Sequence, residues 1–382
     1  MIATVFKGVD NRMKSGYLLR DIVNKVDGIH FTSSEELHTL GALYETMLRE
    51  MRDAAGDSGE FYTPRAVVRF MVEVTDPRLG EIVLDPASGT GGFLVEAYNY
   101  FENQVKTVAD RRRLQGNSLT GCEAKSLPYL LCQMNLLLHG LDAPQIDPGN
   151  ALRFKLSEIG EKERVDVILT NPPFGGEEEK GIQSNFPGDR QTAETALLFL
   201  QLIMRKLKRQ PTSAGRPARA AVVVPNETLF GDGVCARIKE ELLKDFNLHT
   251  IVRLPNGVFA PYTSIPTNIL FFDRSGPTKD VWYYEQPLPE GRKNYSKTLP
   301  MQFDEFKNCT AWWMKRQENN QAWKVSAKEV LHAGCNLDRK NPRAKVDFEH
   351  LPPDQLADDI LQKELRIADL MQEIKAALGA NA

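Results

Sequence analysis

Two short segments of the chain combine residue types that could do chemistry. In Asn171-Pro172-Pro173-Phe174 the prolines hold the backbone extended and remove two N–H donors, which leaves carbonyls free. The Asn171 side-chain oxygen and the Pro172 carbonyl could both accept hydrogen bonds from one exocyclic NH2 group. Phe174 offers a ring on which a planar amide or base can stack. In Asp85-Pro86-Ala87-Ser88-Gly89-Thr90-Gly91-Gly92-Phe93 an acidic residue precedes small residues that let the backbone turn tightly and a ligand approach closely. This is not the dinucleotide fingerprint, whose third glycine would fall at Leu94. An acid there disfavours a pyrophosphate and suits a ligand with positive charge; S-adenosylmethionine, with its ammonium and sulfonium, has that polarity. Each segment has a plainer reading as a tight or rigid turn, and together they are far more specific than either alone.

Both segments follow short apolar runs, at Glu81–Asp85 and Val165–Leu169, and similar β-branched runs recur at Ala221–Val224, Thr250–Arg253 and Asn268–Phe272. Between them helical patterns fall near Phe93–Tyr100, Lys125–His139, Ala193–Lys208 and Gly233–Asp245. The alternation predicts an α/β fold, doubly wound, with a mainly parallel sheet covered on both faces. Ligands of such sheets bind beyond the carboxyl ends of the strands. Short N-terminal helices are expected ahead of it: an amphipathic piece from Tyr17 to Val26, and a second through Leu37 to Met51 opened by a Ser33/Glu36 capping box. The Arg209–Pro217 stretch reads as a mobile surface connection. After Tyr284 the pattern weakens, with Trp312, Trp313 and Trp323 showing no period. A final helix from Pro353 to Leu378 carries Leu356, Ile360, Ile367, Leu370 and Ile374 in steps of four and three, Lys363 filling one seam position. Docking on a partner helix and folding back on its own domain both remain open for that seam. The expected division is residues 1–58 as a helical segment, 59–300 as the catalytic domain and 301–382 as a C-terminal helical extension.

The 382 residues are 42% apolar and 26% charged, which supports a sizeable core and excludes global disorder. Lys plus Arg (48) against Asp plus Glu (51) leaves a net charge of −3, so any nucleic acid would be reached through a local patch or a helper subunit. Cys122, Cys132, Cys235, Cys309 and Cys335 form no Cys-x-x-Cys pair, and the six histidines lack ligand spacing. That argues against a disulfide framework and against a metal site. No apolar run approaches the roughly 20 residues of a membrane span. No signal-peptide pattern opens the sequence. A cytoplasmic protein is expected.

The sequence resembles the S-adenosylmethionine-dependent amino-methyltransferases that act on DNA. Asp85–Phe93 and Asn171–Phe174 look like motifs I and IV of that family, and Glu60-Phe61-Tyr62-Thr63-Pro64-Arg65 looks like its motif X. The order, with motif X ahead of both, is that of the N6-adenine enzymes. The best match is to modification subunits of type I restriction–modification systems, bacterial or archaeal. Their pattern recurs in Ile251–Phe259 and Pro261–Asn268.

The resemblance implies that Glu60, Phe61, Tyr62, Thr63, Pro64 and Arg65 line the methionine end of S-adenosylmethionine, with Thr63 in direct contact. Asp85, Ser88, Gly89, Thr90, Gly91 and Gly92 would floor it. Glu123 would accept from the ribose hydroxyls, its plainer reading being a helix N-terminal charge. Asn150 stands where the family often has Asp, bonding the adenine amino group. Asn171, Pro172, Pro173 and Phe174 would be catalytic, with the target base flipped out of the duplex onto Phe174, near Tyr62 or Tyr262. The implied partners are duplex DNA, bound weakly by this chain alone, a specificity subunit and a restriction subunit. The family also implies a sizeable helical region before Glu60, where fifty-nine residues stand here. The rival readings are a methyltransferase for protein glutamine or RNA amino groups, and a catalytically silent structural subunit. A cytosine ring-carbon enzyme is excluded because no Pro-Cys pair exists. Cys122 reads as a buried thiol and Arg111–Arg113 as a solvated helix end.

Overall fold

The computed structural model describes residues 15–27, 63–260, 263–343 and 353–379. Glu60, Phe61, Tyr62 and Tyr262 lie outside the described residues, as does the helix expected after Ser33. Two compact units emerge, Met1–Pro342 and Arg343–Ala382.

The first unit is built on a sheet ordered β3-β2-β1-β4-β5-β7-β6-β8-β9. The strands are β1 Val83–Asp85, β2 Leu119–Cys122, β3 Gln145–Asp147, β4 Val167–Thr170, β5 Arg219–Pro225, β6 Asn247–Arg253, β7 Thr267–Asp273, β8 Asp280–Glu285 and β9 Ala322–Ser326. Strands β3, β2, β1, β4 and β5 run parallel. Strand β7 is antiparallel to both its neighbours, and β9 is antiparallel to β8. Every residue of β4 and β5 is buried, as expected for central strands covered on both faces.

Helices α1 Gly16–Asp27, α2 Arg65–Thr75, α3 Gly92–Glu102, α4 Val108–Gln115, α5 Ser126–Leu138, α6 Thr195–Lys206 and α7 Val234–Asp245 precede or connect the strands. Alternate residues of each strand feed opposite cores. Val167, Leu169, Val223 and Ile269 join α2, α3 and α5 on one face. Ile168, Val222 and Leu270 join α6 and α7 on the other. Helix α2 is an element no sequence pattern had assigned, and it is firmly held. Its Phe70 stacks on Phe306 at 4.2 Å between centroids and meets Phe271 edge-on. Burying one such ring contributes about 1.5–3 kcal/mol.

Two expectations need correction. Residues 301–342 belong to the sheet unit, so its boundary falls at 342/343 rather than at 300. The cause is β9, which zips onto β8 with Trp323 opposite Tyr283, their rings stacked 5.2 Å apart. Helices α8 Lys307–Met314 and α9 Ala327–His332 flank that strand. The Arg209–Pro217 connection is pinned rather than loose. Thr212 Oγ1 donates to Glu81 Oε1 at 2.6 Å, and Arg216 reaches Asp76 at 2.9 Å. Arg219 grips the buried Glu81 with two hydrogen bonds of 2.8 and 3.0 Å.

Among its described residues the second unit forms a helix, α10 Pro353–Gly379. Ile360, Leu361, Leu365, Ile367, Leu370, Met371 and Ile374 on it are 41–61% exposed. No helix among the described residues is long and apolar enough to cross a membrane.

Candidate active site

Four neighbouring parallel strands deliver the candidate residues to one edge of the sheet. Asp85 ends β1, Glu123 follows β2, Asn150 follows β3 and Asn171 follows β4. Strands β1 and β4 are in register at Val83↔Val167 and Leu84↔Ile168, so Asp85 and the Thr170-Asn171 turn stand on adjacent strands. The chain enters β2 on one side of β1 and β4 on the other, and a crevice opens at such a switch in strand order.

The loop after β1 is built from backbone contacts. Gly89 and Gly91 take φ of +52° and +84°, which side-chain-bearing residues resist. A Cβ on Gly91 would lie 2.8 Å from Cys132 Sγ. Ser88 Oγ donates to the Asp85 carbonyl at 2.8 Å and accepts from the Cys122 N–H at 3.1 Å. Ser88 is therefore a buried clamp between β1 and β2, rather than a group facing a ligand. Glu123 Oε2 accepts from Gly89 N–H and Oε1 from Lys125 N–H, each at 2.9 Å, so Glu123 also fixes the glycine turn. Arg65 Nη1 donates to the Gly92 carbonyl at 3.0 Å.

Asp85 is 1% exposed and accepts from the Ala87 N–H at 3.1 Å. Burial pushes its carboxyl up to about 7, against the lowering influence of Thr170 and of the Ala87 N–H, and nearby Glu123 adds to the rise. A buried carboxyl poised there gains its charge most readily when a cation arrives beside it.

The loop after β4 is built around one side chain. Asn171 is 7% exposed, and its Nδ2 donates to Thr63 Oγ1 at 3.0 Å, a contact spanning 108 residues. Its Oδ1 is buried and faces no donor. Pro172 is buried and Pro173 exposed. Phe174 is buried too, edge-to-face with Phe259 at 6.4 Å, so its ring is packed into the core instead of lying open to a planar ligand. Asn150 caps the short turn that follows it, its Oδ1 accepting from Leu152 N–H at 2.9 Å and its Nδ2 reaching Glu178 at 3.3 Å.

Two contributors were missed from sequence, both on the inner face of α5. Cys132 fills the space beside Gly91, and Asn135, fully buried, donates to the Thr90 carbonyl at 2.9 Å. Their spacing of three marks one helix face, a signal that the apolar residues around them hid.

A family model described as N-6 DNA Methylase matches residues 35–350. The chain is 50% identical over 389 residues to the Type I restriction enzyme EcoEI methylase subunit of Escherichia coli, covering all of this chain and 77% of that one. A crystal structure of a type I restriction enzyme modification subunit from Vibrio vulnificus YJ016 superposes with a TM-score of 0.86 at 69% identity, over 91% of this chain and 74% of that one. A chain from a structure described for complex assembly and conformational transition of the type I R-M system gives 0.83 at 41% identity, over 100% and 79%.

Proposed function

The chain belongs to the N-6 DNA methylase family, and from that premise we propose that it is the modification subunit of a type I restriction–modification assembly. It transfers a methyl group from S-adenosylmethionine to the N6 amino group of adenine in DNA. The observation that carries the chemistry is the Asn171 amide: its nitrogen is engaged by Thr63 while its buried oxygen lacks any donor. An unpaired buried acceptor costs about 1–3 kcal/mol. An amine hydrogen of the substrate would remove that cost.

The residues present fit the cofactor. Gly91 leaves space where a Cβ would collide with Cys132. The buried Asp85 suits the ammonium or sulfonium charge, and Glu123 keeps acceptor capacity for a ribose diol. The bound cofactor supplies a methyl group already activated as a sulfonium substituent, so this chain needs to position rather than to provide a strong acid or base. Asn171 Oδ1 and the Pro172 carbonyl accept the two amine hydrogens. That draws the nitrogen lone pair out of conjugation with the ring and spreads the positive charge that develops on attack. Thr63, Pro64 and Arg65 tie the start of α2 to both loops, Arg65 through the Gly92 carbonyl. Glu60, Phe61 and Tyr62 complete the motif in this reading. Gly89, Thr90 and Gly92 shape the floor, and Ser88 holds its backbone. Phe174, packed against Phe259, braces the loop that carries Asn171. Asn150 lines the adenine end of the crevice.

Specificity and restriction subunits are the proposed partners, with the apolar row of α10 as a docking element. The net charge of −3 leaves duplex DNA bound weakly without them. The cytoplasm is the proposed compartment. Co-expression with a specificity subunit, followed by radiolabelled methyl transfer to duplex DNA and nucleoside analysis, should yield N6-methyladenine. Label in protein or RNA, or none anywhere despite cofactor binding, would overturn the reading.

A further inference from the structure

We infer that Thr63 is a positioning residue for the methyl transfer, holding the Asn171 amide where its oxygen can meet the substrate amine. This rests on the reading that Asn171 accepts from that amine. The two ends of an asparagine amide have nearly the same shape and opposite hydrogen-bonding character. One orientation offers an acceptor to an NH2 group; the flipped one offers N–H against N–H and repels it. Thr63 Oγ1 accepts from Asn171 Nδ2 at 3.0 Å and holds the amide in the first of these orientations. With the nitrogen so held, Oδ1 is the end left without a partner.

The anchor itself is rigid. Thr63 immediately precedes Pro64, the residue capping α2. Most of the apolar face of that helix is buried: Val67, Val68, Phe70, Met71 and Val72 are each no more than 1% exposed. The neighbouring Arg65 donates to the Gly92 carbonyl at 3.0 Å. One turn of chain thus spans from the glycine loop to the reacting amide. The sequence resemblance gives Thr63 a direct contact with cofactor; the geometry gives its hydroxyl a bond to Asn171.

The test uses the full chain assembled with its specificity subunit, and reads the single-turnover methylation rate at saturating S-adenosylmethionine beside cofactor affinity by calorimetry. Thr63→Val should slow transfer by about 10- to 100-fold with cofactor affinity changed less than about twofold. Thr63→Ser, which keeps the hydroxyl, should restore most of the rate. On an Asn171→Ala background, where no amide remains to be held, adding Thr63→Val should cause no further loss. That cycle reads the coupling of the two side chains even if Thr63→Val is partly destabilised. A wild-type rate in Thr63→Val, an equal loss on the Asn171→Ala background, or weakened cofactor binding with an unchanged saturated rate would each overturn the inference. Full activity in Asn171→Ala would instead overturn the reading beneath it.

Discussion

The loops after β1 and β4 stand on adjacent strands and are built in contrasting ways. The first is a scaffold of backbone: positive-φ glycines, a serine clamp, a glutamate and an asparagine that hold carbonyls and amides in place. The second puts its function in one side chain with a committed donor and an open acceptor. The difference teaches a division of labour. A surface that must cradle a ligand is shaped by what is absent, and a group that must meet a reacting atom is shaped by what holds it.

Substitutions can break that division. The largest effect is expected from Asn171→Ala, which should lower the methylation rate by about 1000-fold while cofactor affinity, measured by calorimetry, stays within about twofold. Gly91→Val should do the reverse. The strained φ of +84° and the 2.8 Å approach to Cys132 should weaken cofactor binding by about 100-fold in the same calorimeter. If both variants lose affinity and rate together, the two loops are one unit and the comparison fails.

A third test sharpens the role of the acid at the base of the crevice. With Asp85 titrating at about 7, only about one tenth is ionised at pH 6, so affinity for the cationic cofactor should be about tenfold weaker there than at pH 8. Asp85→Asn should flatten that profile. The sign for stability is opposite. The carboxyl is raised in the fold from 3.8, so the stability its neutral form confers is lost as pH rises from there to about 7. The ligand-free Asp85→Asn protein should therefore melt higher than wild type at pH 8. The smallest effect is expected in the Arg209–Pro217 connection. Thr212→Val removes the bond to Glu81 and should cost about 1–3 kcal/mol in denaturant unfolding, with methylation unchanged.

The residues that shape the crevice were legible because strand-end chemistry is written locally. Asp85, Gly91 and Asn171 each follow an apolar run, and a parallel sheet brings such ends together. Less legible were features decided at a distance. The three residues of β3 and the five of β9 are too short to show a period, yet both pair fully within the sheet. The composition of Arg209–Pro217 pointed to a free loop, but the buried charge of Glu81 draws Thr212 and Arg219 onto it. Phe174 has the residue type of a stacking platform, and only the position of Phe259 reveals that its ring is packed away.

The bare apolar stripe along α10 has a consequence for the chain on its own. Five large side chains there, Ile360, Ile367, Leu370, Met371 and Ile374, are turned to water, enough to invite self-adhesion. Burial of that stripe by the proposed partner subunits would remove the liability.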